Sequence, residues 1–187
     1  EKKFLKVYLE DLSNLIKPNE ELIFKLIKCK NLILDTKKNK KKVIIIGNGG
    51  SAAIANHFST DLTKNAGVRC VNFNEASLIT CFSNDYGHEH WMEKAIEFYG
   101  DKGDVLIAIS SSGNSRNIQN AIKAARKFLF YSVVTYTGMK ETNVVKKMGD
   151  INFWINSKAY NFIENTHQIW LLSLVDLIIG KKEYKPK

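Results

Sequence analysis

Short β-branched runs that alternate with helical segments are the feature that most limits how this chain can fold. Residues 42–47 read Lys-Val-Ile-Ile-Ile-Gly, which is typical of a strand buried on both faces and ended by a glycine. The same pattern recurs at residues 104–109 and 130–135, with weaker versions at 68–73 and 151–155. Helical periodicity occupies residues 51–63, 88–99, 114–128, 141–148 and 160–179. Five strands alternating with helices predict an α/β fold, a doubly wound parallel five-stranded sheet with helices on both faces.

The first forty residues follow a different period and predict a pair of helices. Apolar residues recur at three- and four-residue steps from Phe4 to Ile16, and Pro18 ends that segment. Asn19 is expected to cap the second helix, with acidic residues in its first turn where the helix dipole favours anions. No repeat or Pro/Ser-rich linker divides the chain. We therefore predict one domain, with a helical pair over residues 1–40 and an α/β core over residues 41–187.

The net charge of +9 raises the question of a nucleic-acid partner, and the distribution of basic residues argues against one. Arginine, which binds phosphate and guanine through a bidentate fork, occurs only at Arg69, Arg116 and Arg126. The lysines concentrate in residues 37–42 and 181–187, at the edges of apolar segments. We interpret these clusters as a solvated turn and tail, with a basic surface for an acidic partner as the alternative.

Cysteine usage and hydropathy set the expected compartment. No window approaches the ~20 apolar residues of a membrane span, and the charged N-terminus carries no apolar signal core. The three cysteines, Cys29, Cys70 and Cys81, form an odd set without a Cys-x-x-Cys pair. This usage fits a reducing compartment, so a cytoplasmic protein is expected.

Two loops rich in glycine and serine follow the strongest strands. Residues 47–51 read Gly-Asn-Gly-Gly-Ser, and residues 110–115 read Ser-Ser-Ser-Gly-Asn-Ser. Ligands of such sheets bind outside the carboxyl ends of the strands. Glycine turns let backbone N–H groups approach an anion, the helix start adds partial positive charge, and serine hydroxyls donate without charge. The pair of loops therefore predicts a site for a phosphorylated small molecule.

Taken alone, the first loop allows other interpretations. Gly47, Gly49 and Ala52 satisfy the loose dinucleotide fingerprint, but the acidic residue expected after the second strand is replaced by the pair Asn74 and Glu75. A Walker A loop is excluded because no Gly-Lys-Ser/Thr follows. A capped helix after a tight turn explains either loop singly, whereas it does not explain a serine cluster on a second one. No nucleotide cofactor is expected.

Two helices carry groups that could move protons or bind a metal. His57 and Asp61 are four residues apart on the helix that begins at the first loop, and so share a face. Glu164 and His167 share a face of the last helix. Such groups serve in general acid–base catalysis or as ligands of a divalent metal such as zinc. A further pair, His88 and His90, is interpreted as the exposed start of a helix.

At this point the motifs resemble those of the phosphoheptose isomerases, enzymes with a sugar-isomerase (SIS) domain. The resemblance rests on residues 47–53 with His57-Phe58, on Asn84-Asp85-Tyr86-Gly87, on residues 103–115, and on Ile163-Glu164-x-x-His167. It covers essentially the whole chain. It implies the SIS fold and a homotetramer, with the N-terminal helices used in oligomerisation and active sites between subunits. It also implies isomerisation of sedoheptulose 7-phosphate for lipopolysaccharide or capsule synthesis.

The resemblance also assigns residues to roles, position by position. It implies that the phosphate is held by Ser51, Ser110, Ser111, Ser112 and Ser115. It implies that the sugar is lined by Asn48, Gly49, Gly50, Asn84 and Asp85. Many members bind zinc through a histidine and a glutamate on the first core helix and a glutamine and a second histidine on the last. Their counterparts here are His57, Asp61, Glu164 and Leu172.

Three of those four positions depart from the family pattern, as does one position beyond them. Asp61 has a shorter stem than glutamate, Glu164 adds a charge, and Leu172 can neither bind metal nor move a proton. His167 lies about 140° from Leu172 on an ideal helix, so it is a poor substitute. An arginine that follows the first helix in the family is replaced by Asn65. The phosphate half of the site thus matches the family, and the proton-transfer half is altered.

The resulting hypothesis is an aldose–ketose isomerase that converts sedoheptulose 7-phosphate to D-glycero-D-manno-heptose 7-phosphate through an enediol. Asp61 is expected to be the base, assisted by Glu164, while His57 polarises the sugar directly or through zinc held by His57, Asp61 and Glu164. One alternative is a catalytically altered SIS domain that binds sugar phosphates or a protein, as does one branch that binds a replication initiator. Another is an isomerase of a different sugar phosphate.

Overall fold

The computed structural model describes residues 1–184, so the predicted basic tail at Lys185, Pro186 and Lys187 lies outside the described residues. The helices are α1 (Lys2–Leu15), α2 (Glu20–Lys38), α3 (Gly50–Lys64), α4 (Ala76–Tyr86), α5 (Trp91–Tyr99), α6 (Arg116–Lys127), α7 (Val144–Met148) and α8 (Tyr160–Ile179). The strands are β1 (Val43–Ile46), β2 (Cys70–Val71), β3 (Val105–Ser110), β4 (Ser132–Thr137) and β5 (Ile151–Trp154).

The strands form one sheet in the order β2-β1-β3-β4-β5, and every neighbouring pair is parallel. This confirms the predicted five-stranded parallel sheet. The chain leaves β1 for β2 on one side and later returns to place β3 on the other side of β1. The connections therefore diverge between β1 and β3, and such a divergence opens a crevice at the carboxyl ends of the two strands.

The β-branched run of β1 is explained by two hydrophobic cores, one on each face of the sheet. Val43 and Ile45 contribute to the core that α2, α3 and α8 cover, whereas Ile44 and Ile46 contribute to the core beneath α5 and α6. All four side chains are at most 2% exposed. Successive strand residues point to opposite faces, so only a strand with helices on both sides buries every side chain of such a run.

Helix boundaries follow local capping where the sequence supplies it. Asn19 caps α2, as predicted, because its side chain accepts a hydrogen bond from the backbone N–H of Leu22 at 2.9 Å. The helix α4 was not predicted, although Glu75 caps it by accepting from the N–H groups of Ser77 and Leu78. None of the residues of α4 is buried, which explains why its sequence shows no clear apolar stripe.

The helical pair in front of the core is present, and its two members differ in burial. The helix α2 buries Cys29 and Ile33 in the core, whereas α1 has no buried residue and leaves Phe4 68% exposed. The ring of Tyr8 meets that of Phe162 on α8, with 4.6 Å between centroids. Use of this pair in a tetramer stays a prediction, which sedimentation equilibrium of the purified protein would check.

Two further observations concern membrane-spanning length and the cysteines. In residues 1–184, no helix is apolar enough over a sufficient length to cross a membrane. The three cysteines are free, and burial raises the pKa of the Cys29 thiol to about 12. Such a thiol stays protonated and packs as a small apolar side chain.

Candidate functional site

The two predicted phosphate loops lie side by side at the carboxyl ends of β1 and β3. Residues 47–49 connect β1 to α3, and residues 111–115 connect β3 to α6. The hydroxyl oxygens of Ser51 and Ser111 are 3.4 Å apart, and both residues are buried. This position is the crevice that the strand order creates, so the structure brings together the loops that the sequence analysis paired.

The first loop has a backbone shape that requires glycine at two positions. A Cβ on the buried Gly47 would lie 2.6 Å from the backbone of Ser51. Gly49 has a φ of +54°, a backbone conformation that residues with a side chain rarely adopt. Gly49 is also the N-cap of α3 and provides no side-chain acceptor for its first N–H groups. The N–H groups of Ser51 and Ala52 bond to the backbone carbonyls of Asn48 and Gly49, so within residues 1–184 the N–H groups of Gly49 and Gly50 are the ones left for an anionic ligand.

The second loop presents several hydroxyl groups around another uncapped helix. The loop closes through a backbone hydrogen bond from Gly113 to the carbonyl of Ser110 at 2.9 Å. The hydroxyl of Ser110 donates to that of Ser115 at 3.1 Å, and Ser112 accepts from the backbone of Asn114 at 3.3 Å. Ser115 is the N-cap of α6 but its side chain makes no capping bond. Hydroxyls and free N–H groups together suit a phosphate.

Glu164 extends from α8 to the start of α3, beside the first loop. The side chain is half-buried, and a Cβ built on Gly50 would lie 2.7 Å from its Cδ. Among residues 1–184, Glu164 takes part in no ion pair within 4.0 Å. A carboxylate at this position is stabilised by the positive end of the helix dipole of α3. It also places two acceptor oxygens next to the loop.

His57 and Asp61 form a hydrogen-bonded string with two residues that the sequence analysis did not assign to the site. The His57 Nε2 atom is 3.3 Å from Asp61 Oδ2, and Nδ1 is 3.4 Å from the amide nitrogen of Gln168. Because a carboxylate only accepts, the ring hydrogen lies on Nε2 and Nδ1 accepts from Gln168. Asn65 donates to Asp61 Oδ1 at 3.2 Å. The Asp61 carboxylate is thus held at both oxygens.

Gln168 could have been found from its spacing. It lies four residues after Glu164 on α8, so the two share the helix face that looks toward α3. Asn65, which replaces the family's arginine, also lines a cavity of about 870 Å³ with Ala66, Ile178, Ile179, Lys181, Glu183 and Tyr184. The hydrogen-bonded string therefore runs from Gln168 on α8, through His57 and Asp61, to Asn65. This last residue lies one helical turn beyond Asp61 and lines the cavity.

The arrangement of His57, Asp61 and Glu164 bears on whether these side chains could bind zinc. His57 and Asp61 are adjacent, but both ring nitrogens of His57 have protein partners, and Glu164 lies beside Gly50. Across residues 1–184, no three histidine, cysteine, aspartate or glutamate side chains come together in a way that could hold a metal ion. The side chains as placed do not fit zinc. Zinc binding by His57, Asp61 and Glu164 stays a prediction, and no chemical step below depends on it.

His167 lies inside the core, away from the site that Glu164 faces. Its side chain is fully buried, and Nε2–H donates to the carbonyl of Thr137 at 3.2 Å. Burial lowers the pKa of His167 from 6.5 to about 4, because a charged ring would be poorly solvated there. Leu172 is half-buried and offers neither a proton nor a metal ligand. Neither residue therefore supplies the second histidine that the family has on this helix.

The buried imidazole of His167 leads to a prediction about stability and pH. Its folded pKa is depressed, so between pH 6.5 and pH 4 the unfolded chain binds the proton and the folded chain does not. The free energy of unfolding is therefore expected to fall as pH falls through this window, by about 3 kcal/mol from this group. Urea unfolding of the wild type and of His167→Asn at a series of pH values measures the contribution. An unchanged slope in the variant would contradict it.

Asn84 and Asp85, expected near the sugar, lie on the exposed end of α4. Asn84 donates to Asp85 at 2.8 Å, and the thiol of Cys81 is 3.6 Å from the same carboxylate. Within the described residues, no side-chain hydrogen bond joins either one to the two loops. The second exposed pair, His88 and His90, lies before α5, where His90 contacts Glu93 at 2.6 Å. Contact of Asn84 and Asp85 with sugar stays a prediction.

Comparison with known proteins finds relatives over nearly the whole chain. A model of the SIS domain family matches residues 7–134. The phosphoheptose isomerase of Buchnera aphidicola subsp. Acyrthosiphon pisum (strain Tuc7) is 35% identical over 188 residues, which cover 98% of this chain and 92% of that protein. The phosphoheptose isomerase of Helicobacter pylori (strain P12) is 32% identical over 183 residues, covering 95% and 89%.

Solved structures show the same relationship in three dimensions. The phosphoheptose isomerase GmhA from Neisseria gonorrhoeae superposes with a TM-score of 0.87 at 28% identity, covering 95% of this chain and 98% of that chain. A phosphoheptose isomerase from Francisella tularensis superposes with a TM-score of 0.83 at 24% identity, covering 97% and 99%, and supports the fold alone.

Proposed function

The chain belongs to the phosphoheptose isomerase family of SIS-domain proteins, a family of sugar-phosphate isomerases, and on that premise we propose that it interconverts sedoheptulose 7-phosphate and D-glycero-D-manno-heptose 7-phosphate. The observation that carries the proposal is the meeting of the two serine and glycine loops at the divergence of β1 and β3. The helix that leaves the first of these loops also carries Asp61.

The loops supply the phosphate end of the proposed site. Buried or half-buried serine hydroxyls and the uncapped N-termini of α3 and α6 provide donors without a nearby lysine in the loop segments. Neutral donors fix a phosphate by geometry, and the two helix dipoles contribute partial positive charge. A phosphate is therefore expected to lie between Ser51 and the residues 110–115.

Asp61 supplies the base of the proposed reaction. It lies ten residues after Ser51, a rise of about 15 Å along α3, and its side chain tilts back toward the loop. The substrate chain is shorter than this rise, so the backward tilt of the side chain is what brings the carboxylate toward C1. The carboxylate takes the proton from C1 of the ketose to form the enediol and returns it to C2, while the hydroxyl proton on O1 is released as O2 gains one.

Two neighbouring side chains complete the proposed proton-transfer end. His57 holds Asp61 in place through Nε2–H, and in the same position it can pass a proton to a sugar oxygen when the ligand displaces that contact. Glu164, beside Gly50, accepts hydrogen bonds from hydroxyls along the sugar chain and so assists Asp61. Because Leu172 cannot move a proton, we assign the carbon-bound proton to Asp61 and proton transfer at the sugar oxygens to His57.

The assay that tests the function follows conversion of sedoheptulose 7-phosphate by the purified protein. Ser111→Ala and Ser115→Ala are each expected to raise KM and the dissociation constant by at least about tenfold, because each removes a hydroxyl donor to a charged phosphate. Titration calorimetry with the sugar phosphate measures the binding directly. Ser173→Ala, whose hydroxyl donates to the carbonyl of Trp170 on α8, is the matched control.

The outcomes separate the proposal from its closest alternative. Conversion by the wild type, with weakened binding in both loop variants, supports an isomerase that uses these loops. Tight binding without conversion favours a sugar-phosphate-binding protein, the alternative that Asn65 and Leu172 favour because neither can replace the charged or titratable residue that the resemblance implies at its position. If neither serine variant changes affinity, the phosphate does not lie where we place it.

A further inference from the structure

Two asparagine side chains hydrogen-bond to each other between the two loops, and one of them, Asn117, has no assigned role in the candidate site. The side chains of Asn48, in the first loop, and Asn117, in the first turn of α6, exchange two hydrogen bonds. Asn48 donates to Asn117 at 3.0 Å and Asn117 donates back at 2.9 Å. We call this pair the amide clasp. It connects segments 69 residues apart in the chain.

The side chain of Asn117 is buried, and its hydrogen bonds are made to the protein. The residue is 4% exposed, and its Oδ1 accepts a second hydrogen bond from the backbone N–H of Ile118 at 3.0 Å. An amide oxygen has two lone pairs, so this oxygen is fully occupied. The side chain of Asn117 thus serves the protein, since its acceptor capacity is spent on Asn48 and on the start of α6.

Asn48 retains limited capacity for a ligand. One amide hydrogen and one lone pair of its side chain are used by Asn117, which leaves one of each. The next residue, Gly49, is the N-cap of α3 and has a positive φ. Fixing Asn48 therefore fixes the backbone that aims the first N–H groups of α3 at the crevice.

The clasp is the stronger of the two links between the loops. The other link, between the hydroxyls of Ser51 and Ser111, is a single contact at 3.4 Å, near the limit of a hydrogen bond. The clasp has two bonds near 3.0 Å with a buried partner. Since phosphate donors come from both loops, the separation of the loops determines whether one phosphate can reach both sets.

We propose that Asn117 is a positioning residue of the sugar-phosphate site, which holds Asn48 and thereby sets the spacing between the α3 start and the serine loop. The inference rests on the proposed function, because it assumes that one phosphate bridges the loops. It assigns the effect of Asn48 on binding mainly to the clasp, whereas the family resemblance alone places Asn48 against the sugar.

A double-mutant cycle tests this assignment with sedoheptulose 7-phosphate and inorganic phosphate as the probes. Asn48→Ala and Asn117→Ala are each expected to raise the dissociation constant of both probes about tenfold. The double variant is expected to bind no more weakly than either single variant, because both remove the same clasp. Asn120→Ala, one turn farther along α6 and bonded to the carbonyl of Glu89, is the control and is expected to bind normally.

Specific outcomes overturn the inference. Additive losses in the double variant, or normal phosphate affinity in Asn117→Ala, would show that Asn48 acts on the sugar by itself. If Asn117→Ala does not fold, Asn117→Ser keeps a small neutral polar side chain that is too short to reach Asn48, and weakened phosphate binding by this folded variant supports the clasp. Normal phosphate binding by Asn117→Ser contradicts it.

The same measurements keep this inference apart from the proposed function. Binding can be measured without turnover. If the wild type binds both probes but does not isomerise sedoheptulose 7-phosphate, the proposed reaction is wrong, and the double-mutant cycle still tests the clasp. A wild type that binds neither probe overturns both proposals together. Wild-type turnover with additive losses in the cycle overturns the clasp alone.

Discussion

Asp61→Asn is expected to lower kcat for the isomerisation by at least about 100-fold, the scale on which a positioned general base contributes. KM is expected to change little, because the phosphate donors lie at the other end of α3. The amide oxygen can still accept from His57 Nε2–H, and the amide NH2 can donate to the side-chain oxygen of Asn65 once that amide turns over, so both neighbours keep a partner while the basic group is lost. Coupled assays of the initial rate at several substrate concentrations separate kcat from KM.

Two variants serve as controls for this experiment. Asp35→Asn removes the same charge from an exposed position on α2 and is expected to leave kcat unchanged. Asp61→Glu keeps the carboxylate on a longer stem and is expected to retain activity within about tenfold of the wild type. Equal rates for Asp61→Asn and the wild type would exclude Asp61 as the base and direct attention to Glu164.

The sheet could be predicted from the sequence because its strands carry an unambiguous signal. Four consecutive β-branched residues, Val43 to Ile46, are buried on both faces, and a helix of that composition would not be ended by glycine after so few residues. The strand β3 has fewer β-branched residues, but it is likewise buried along its whole length. Where a strand or helix has little burial, the signal is weak. The helix α4 buries no residue and was missed, although Glu75 caps it.

The exact starts of several strands and helices depend on backbone geometry that the hydrophobic pattern of the sequence does not predict. The predicted strand at residues 130–135 begins at Ser132 in the structure, because Leu129 takes a φ of +57° and the N–H of Phe130 still bonds to Ala125 of the preceding helix. Similarly, α5 begins at Trp91 and α7 at Val144, each three residues later than the helical pattern suggested. The start of α7 is set by Asn143, whose side chain accepts a hydrogen bond from the backbone N–H of Lys146.

The candidate site divides in the same way into a local and a non-local part. The loops were predictable because each follows a strong strand, and strand order places them together. The partner Asn117 was not, because its contact with Asn48 joins segments 69 residues apart. For Gln168 the spacing from Glu164 gives its helix face, but not its contact with His57, which lies 111 residues away. Spacing alone also grouped Glu164 with His167. The structure separates them, since one faces Gly50 and the other donates to Thr137 within the core.

Gly113→Ala is expected to lower the free energy of unfolding by about 3 kcal/mol and to abolish tight phosphate binding. The φ of Gly113 is +68°, which costs an alanine about 1 kcal/mol, and the new Cβ would lie 2.5 Å from the Cβ of Asn143. Asn143 cannot yield easily. It is buried, it caps α7 by accepting from Lys146 at 2.8 Å, and it donates to the carbonyl of Lys140 at 2.8 Å. The serine loop must therefore move.

Gly180→Ala is the matched control, because it separates backbone strain from the clash. Gly180 has a φ of +84° at the end of α8, and within residues 1–184 nothing outside its immediate backbone lies within 4 Å of the position its Cβ would take. This variant is expected to lose only about 1 kcal/mol and to bind phosphate normally. Thermal unfolding and calorimetric titration with sedoheptulose 7-phosphate measure both effects. If the two variants lose equal stability and bind equally well, Asn143 does not constrain the serine loop. A larger loss confined to Gly113→Ala shows that the packing of Asn143 against this turn holds the phosphate donors in place.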